Sequence, residues 1–373
     1  MVVNITKKVM AIDVVIPSVR PEELDFLFLL TMEVPKGTFV NFYIIIDCPG
    51  YFEFDSFVDP CRKIVVRSNS SNIGASASRN KGIDLSKGDY ILFIDDDVIP
   101  ERDLLLVYYN RIMENPNCFG FVGRTEFPTP INSFTSGILE SDILTFFGIS
   151  RTRKKAYWGT TSNLLIRRDI IGNNRFGCNF PKAGGGEDID FCLNILQEGN
   201  CLLETVPEAI VKQGWWNDGK RSYRRFFRWA YGDSILPQLH RKYKYLNYPN
   251  LVETLVISIP FLTIISLMLG ISLIVIPTFI ILSFVADFFW ESIRVKLIRP
   301  SAKIISVIEG AIVRISNDLG RLIGNLSRRW FGGFLERFDY FMTGESIKFE
   351  QKIAGAKFIS FSMTLFLIMF YRF

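Results

Sequence analysis

Three consecutive carboxylates, Asp95, Asp96 and Asp97, close an apolar run at 90–94, and a second acidic pair, Glu187 and Asp188, follows Gly184, Gly185 and Gly186. The first group stands where a buried strand would end. Adjacent carboxylates in such a place repel one another unless a cation lies among them, and hard divalent ions such as Mg²⁺ or Mn²⁺ prefer oxygen ligands. A metal held there can clamp a diphosphate. In the second group the glycines allow the backbone to approach a ligand closely. Acids in a first helical turn are favoured in their ionised form by the helix dipole, which suits a general base. Each group also has a plainer reading, as a solvated acidic turn and as a pair of capping carboxylates.

The residues around the first group carry a specific pattern. Asn72, Gly74, Arg79, Asn80, Gly82, Gly88, Asp89, Tyr90, Asp95 and Asp97 agree in type and spacing with N-x-G-x-x-x-x-R-N-x-G…G-D-Y-x-x-x-x-D-x-D. The segment resembles the inverting family 2 glycosyltransferases of the GT-A fold. That resemblance implies a nucleotide-sugar site built from Pro17, Arg20, Asp47, Asn72, Gly74, Arg79, Asp95 and Asp96, with Pro17 and Asp47 near base and ribose and Arg79 near the phosphates. It implies a divalent cation, Mg²⁺ or Mn²⁺, at Asp95 and Asp97. Read alone, Asp47 is equally a strand-end turn residue and Arg79 equally a surface cation.

The glycine and acid run is similar to the family's G-G-E-D-x-D-L segment, whose second acid takes the proton from the acceptor hydroxyl. The match lands on Asp188, with Glu187 beside it. The stretch 157–163, which holds Trp158, resembles the segment lining the sugar pocket. Two departures stand out. Where many members have V-x-H completing the metal shell, this chain has Val211, Lys212 and Gln213, so Gln213 is a weaker oxygen ligand or none. Arg225, Phe226, Phe227, Arg228 and Trp229 are similar to the Q-x-x-R-W motif of processive synthases, with arginine in place of glutamine. Arg225, Arg228 and Trp229, with Gly185 and Gly186, are therefore candidates for acceptor and diphosphate contacts, although a basic helix lying on a membrane fits nearly as well.

These residues need elements to hold them. Apolar runs at 11–16, 42–46, 63–66, 90–94, 119–122 and 164–166 read as strands, and 22–32 and 103–113 read as helices. Strands alternating with helices predict an open α/β sheet, with ligands at the carboxyl ends of its strands. The segment 128–155 has no clean period and suits a mobile or membrane-facing loop.

Composition places the remainder of the chain at lipid. With 373 residues, 49% of them hydrophobic, and a mean hydropathy of +0.22, the chain is too apolar for an ordinary soluble enzyme. The net charge of +5 is spread among 43 basic and 38 acidic residues, which favours an anionic membrane or a phosphorylated substrate over nucleic acid. Residues 251–290 are almost uncharged and predict two helices turning about Gly270. Between 291 and 352, arginines and lysines recur at helical spacing, which predicts amphipathic interface helices on the cytoplasmic side. The last apolar stretch, 358–371, flanked by Lys357 and Arg372, is short for a crossing.

The expected organisation is a glycosyltransferase domain over 1–248, a transmembrane hairpin over 249–290, interface helices over 291–352 and a hydrophobic helix over 353–373. The apolar run after Lys7 and Lys8 is too short for a signal peptide, so the catalytic part is expected in the cytoplasm of a multi-pass membrane protein. Six cysteines without C-x-x-C spacing read as small apolar residues, and the lone His240 reads as a surface or interface residue.

The function so implied is transfer of a sugar from a UDP- or GDP-linked donor to a lipid-linked or glycan acceptor near the membrane. Inversion needs one base and a leaving-group clamp, so the lack of a nucleophilic triad agrees with it. A processive polysaccharide synthase, a polyprenyl-phosphate sugar transferase and a non-catalytic membrane scaffold are the alternatives.

Overall fold

The computed structural model describes residues 9–23, 26–182, 184–197 and 201–371, and the chain divides into two compact units. Lys7, Lys8 and Arg372 lie outside the described residues. The first unit comprises residues 1–129, 145–183 and 187–215. The second holds 130–144, 184–186 and 216–373, so the boundary expected at residue 248 falls inside it.

In chain order the first unit contains β1 (Met10–Ser18), α1 (Phe26–Thr31), β2 (Thr38–Ile46), β3 (Phe54–Asp59), β4 (Arg62–Ser68), α2 (Ala75–Leu85), β5 (Tyr90–Phe93), β6 (Val98–Pro100), α3 (Leu104–Glu114) and β7 (Gly120–Glu126). After α4 (Ser133–Glu140), which belongs to the second unit, come β8 (Lys155–Ala156), β9 (Leu164–Arg167), α5 (Arg168–Ile171), α6 (Glu187–Ile195) and β10 (Leu203–Gln213). The strands form one open mixed sheet in the order β3-β4-β2-β1-β5-β9-β7-β10-β6, with β8 added beside β10. β4, β2, β1 and β5 run parallel, whereas β9 is antiparallel to both β5 and β7.

Central strands buried on both faces must read as continuous apolar runs. Ile12, Val14, Val15 and Ile16 of β1 and Ile44, Ile45 and Ile46 of β2 accordingly have no exposure. Each such side chain contributes about 1.5–3 kcal/mol on burial. α2 lies against β1 because Gly82 has no side chain; a Cβ there would collide with Val15 Cγ1. Its amino end is set by Gly74, held at φ 92, a conformation that costs glycine little.

The second unit is helical: α4, α7 (Arg224–Asp233), α8 (Leu236–Leu239), β11 (Lys244–Leu246), α9 (Leu251–Leu269), α10 (Val275–Ile298), α11 (Ile304–Ser327), β12 (Glu336–Phe338) and α12 (Glu345–Tyr371). Leu251–Leu269, Val275–Ile298 and Ile347–Phe370 are long and apolar enough to cross a membrane. The expected turn forms at Gly270, which caps α9 in the left-handed region at φ 68. The final helix starts far earlier than its apolar residues suggest, because charged residues at its beginning find partners inside the unit; Glu350, for example, pairs with Arg314 at 3.2 Å.

Several local readings are corrected by packing. Residues 130–144 contain a helix, α4, started by a capping box between Asn132 and Thr135. His240 is 2% exposed and lies edge-on to Phe338 of β12. Of the six cysteines only Cys192 is buried, while Cys61 and Cys178 are exposed, so the apolar reading fails for those two. Burial pushes the Cys192 thiol up.

Candidate active site

In the first unit the carboxyl ends of β1 and β5 bring Ser18, Arg20, Asp95, Asp96 and Asp97 together. Asp96 accepts from Ser18 Oγ at 2.7 Å and from Arg20 Nη2 at 2.8 Å. Arg20 Nη2 lies 3.7 Å from Asp97 Oδ2. Ser18 also accepts the Arg20 backbone N–H at 3.0 Å, which folds the chain leaving β1 back onto the acids. Nothing in the sequence singled out Ser18; its one signal is its place at the end of a buried strand.

Arg79 of α2 is the centre of the second group. Its side chain is 5% exposed, donates to Asp95 at 2.7 Å and lies 3.3 Å from Glu187. A single buried guanidinium thus joins the acid cluster after β5 to the first turn of α6. Burial alone would lower its pKa, but Asp95 and Glu187 raise it on balance. Burial also pushes the Glu187 carboxyl up; Arg79 offsets this only in part, and the negative charge of Asp95 adds to the rise. Glu187 Oε2 and Arg79 Nε are buried without a hydrogen-bond partner among the described residues, which is uncommon for native polar groups. Beneath them Phe176 stacks on Phe191 at 4.0 Å, and the Arg79 guanidinium sits 5.6 Å from the Phe176 ring. Asn80 brackets Phe176 by giving and accepting a backbone hydrogen bond, at 3.0 and 2.8 Å.

Asp188 is partly exposed, and its Oδ1 accepts the Ile189 N–H at 2.9 Å. Asp47 is buried, with three donors: Asn69 Nδ2 at 2.9 Å, the Ile73 N–H at 2.8 Å and the Gly74 N–H at 2.7 Å. Its carboxylate therefore shapes the loop carrying Asn72 and Gly74. Asn72 is exposed, and its carbonyl accepts from Lys182 Nζ at 2.6 Å. Pro17 is buried within β1, in register with Ile45. Trp158 is 5% exposed and tilts against Phe146 at 4.9 Å. Gln213 is buried and donates Nε2–H to the Asp97 carbonyl at 2.9 Å, bracing the acid cluster from β10.

The acids suit a divalent cation of one kind. Asp95 and Asp97 present hard oxygen donors on side chains 31% and 22% exposed. Among the described residues no three His, Cys, Asp or Glu side chains converge on a point. Such a donor set fits Mg²⁺ or Mn²⁺ held by one or two carboxylates with phosphate and water completing the shell, rather than a cage made of protein alone.

The remaining candidates belong to the second unit. The Arg225 guanidinium lies 4.4 Å from the Trp216 ring and 6.0 Å from the Trp229 ring. Gly185 sits against α7, where a Cβ would be 2.6 Å from Asp233 Oδ1 and 3.0 Å from the Trp229 carbonyl. Gly186 holds φ 94. Arg228 Nε is buried without a hydrogen-bond partner among the described residues.

Comparison with known proteins bears on part of the sheet unit. Residues 53–174 match the family described as Glycosyl transferase family 2, a span that includes Asn72, Arg79 and the three aspartates. Residues 53–174 are thus a segment of family 2 glycosyltransferase type. The match ends before Glu187 and Asp188. A cholesterol galactosyltransferase from Borreliella burgdorferi is 23% identical over 201 residues, 43% of this chain and 55% of that protein. The succinoglycan biosynthesis protein ExoM from Rhizobium meliloti is 30% identical over 178 residues, 43% of this chain and 53% of the relative. The chain thus spans about half the length of the curated relatives it matches. Among solved structures, S. aureus TarS 1-349 in complex with UDP-GlcNAc is 13% identical with a TM-score of 0.41, over 61% of this chain and 67% of that one. The mannosyltransferase PcManGT from Pyrobaculum calidifontis, in complex with GDP-Man and Mn2+, is 12% identical with a TM-score of 0.44, over 60% and 61%. The first unit is an open mixed sheet with helices, and the chain continues into a region with three long apolar helices.

Proposed function

We propose that this chain is a membrane-associated inverting glycosyltransferase that moves a sugar from a UDP- or GDP-linked donor to a lipid-linked or membrane-proximal acceptor, with its catalytic domain on the cytoplasmic face. The observation that carries this reading is Arg79, which ties Asp95 to Glu187 and so holds a candidate donor-side acid and the candidate base helix in one buried network. The name of the Borreliella relative, which specifies cholesterol, supports a membrane-lipid acceptor.

In this reading the end of β5 is the donor side. Arg20 and Ser18 fix Asp96, and Asp95, held on Arg79, and Asp97, beside Arg20, are the acids that meet the diphosphate. When bound there, Mg²⁺ or Mn²⁺ neutralises charge developing on the leaving nucleotide diphosphate. Asp47 sets the Asn72 to Gly74 loop beside the nucleotide. Asp188 takes the proton from the acceptor hydroxyl as its oxygen attacks the anomeric carbon, breaking the bond to the diphosphate with inversion. Glu187, kept on Arg79, orients the first turn of α6 that carries Asp188. In the second unit, Arg225, Arg228 and Trp229 with Gly185 and Gly186 are our candidates for acceptor contacts, since a cation on aromatic rings suits a sugar or phosphate.

The test is thermal-shift screening of the full chain against nucleotide sugars with Mn²⁺, followed by transfer assays with the donor that stabilises it. Stabilisation by a nucleotide sugar together with turnover is expected. Binding without any turnover would favour a non-catalytic membrane protein, and no binding would remove the transferase reading.

A further inference from the structure

Within the second unit α11 has two faces with different partners. Gly310, Gly320 and Gly324 lie on one of them. A Cβ on Gly310 would be 2.9 Å from the Gly137 carbonyl of α4, and one on Gly320 or Gly324 would run into α7 at Phe227 or at Tyr231 and Ser234. Arg314 and Arg321, on an adjoining strip, anchor the long apolar helices. Arg314 lies 3.4 Å from Glu291 of α10 and 3.2 Å from Glu350 of α12, and Arg321 lies 3.1 Å from Glu253 of α9.

The opposite face exposes Ile304, Ile308, Ile312, Leu319, Ile323 and Leu326, between 36% and 61% each. At 100° per residue these fall on one stripe, away from the glycines, along all 24 residues of the helix. Lys303 precedes the stripe and Arg328 and Arg329 follow it. Six large apolar side chains in a row are costly in water. The chain enters α11 directly from α10 and goes on to α12, two of the helices long enough to cross a membrane, which puts a bilayer within reach of both its ends.

We propose that α11 lies flat in the membrane interface, its isoleucine and leucine stripe among the upper acyl chains and its basic ends at the lipid phosphates. Basic flanks on an amphipathic helix suit an anionic leaflet. α7 rests on the other face of the same helix with glycine-mediated backbone contact, so its axis is about 8–10 Å from that of α11. Arg225, Trp216 and Trp229 are thereby held at headgroup height. Resting on the transferase reading above, with Arg225 and Trp229 as acceptor contacts, this narrows the acceptor to a membrane lipid whose headgroup lies at the level of the phosphates, rather than the far end of a long glycan.

The embedding is tested on the unmodified full chain in proteoliposomes containing a lipid with a photoreactive group near its glycerol, with crosslinked peptides read by mass spectrometry. Adducts on the stripe between Ile304 and Leu326 are expected. Adducts on α9, α10 and α12 with none on α11, or α11-to-α11 protein crosslinks in their place, would overturn the proposal, the second by making the stripe a contact between copies. The acceptor claim is tested with Ile308→Glu and, as a milder change, Ile312→Ser. Transfer to a bilayer-embedded lipid should fall several-fold in Ile308→Glu and less in Ile312→Ser, while nucleotide-sugar binding and transfer to the same lipid in detergent stay unchanged. Equal loss in bilayer and detergent would overturn the positioning claim. Failure of donor binding in the unmodified chain would instead count against the transferase reading and leave the crosslinking result standing.

Discussion

Asp188 and Arg79 make the sharpest claims at the scale of single residues. Replacing Asp188 with Asn keeps the size and removes the base, so transfer should fall by about 10²- to 10⁴-fold with donor affinity nearly unchanged. Asp97→Ala should show the reverse emphasis and lose divalent-dependent donor affinity as well as turnover. Transfer assays run beside donor titrations separate the two; equal loss of affinity in Asp188→Asn would move that residue to the donor side. Glu187 gives a pH prediction whose sign follows from its burial. The folded chain holds its carboxyl above the ordinary glutamate range, so the folded state binds that proton more tightly than the unfolded one. Stability from this source is full at low pH and is lost as pH rises from about 4 through the raised value. The melting temperature of Glu187→Gln, compared with that of the parent, should therefore shift in the variant's favour across that window. A shift in the parent's favour would mean that Arg79 outweighs burial.

At the scale of elements, close helix packing rests on glycine where backbone meets backbone. Gly232 of α7 has the Gly185 carbonyl where its Cβ would be. Alanine is the better helix former by about 1 kcal/mol, but overpacking against a backbone atom that cannot rotate away costs typically about 1–3 kcal/mol. Gly232→Ala should therefore lower stability despite its propensity gain, and loosen the loop at Gly185 and Gly186. Gly148→Ala, at a position with nothing within 4 Å, should be nearly neutral. Thermal unfolding of both variants makes the comparison, and equal melting temperatures would show that the close approach carries no energy. The same kind of contact explains a motif glycine. Gly82 was matched as part of a family pattern, yet its need is mechanical, because α2 has to sit on Val15.

At the scale of the whole molecule, Arg294, Arg314, Arg321 and Arg337 of the second unit are tied to acids. Glu253, with its side chain fully buried, accepts from Asn250 N–H, Arg321 and Arg337, the last two at 3.1 and 2.6 Å. Removing one partner of a buried pair typically costs about 3–5 kcal/mol because the other charge is left uncompensated. Glu253→Ala should destabilise the helical unit by that order, and Glu253→Gln by less, since its amide oxygen still accepts. Unfolding in detergent, followed by a probe on the helices, checks the order of the two variants; no loss in Glu253→Ala would make the network incidental.

Much of the site was legible because it is local in sequence. An apolar run ended by Asp95, Asp96 and Asp97 is a strand with acids at its carboxyl end whatever surrounds it. Three acids within the first turn of α6 likewise follow from the residues after Gly186. Long uncharged stretches announce helices for lipid by composition alone. What the chain order could not decide is which partner each charge takes. Arg294, Arg314 and Arg321 read as a basic excess for a cytoplasmic surface, and the tertiary structure instead pairs them with Glu291, Asp142, Glu350 and Glu253. Arg79 read as a surface cation or a phosphate ligand, and folding buries it between Asp95 and Glu187, which lies 108 residues further along the chain. His240 and Trp158 are buried for the same reason. Periodicity and composition report the conformation of a segment, whereas burial and ion pairing depend on which distant segment is packed against it.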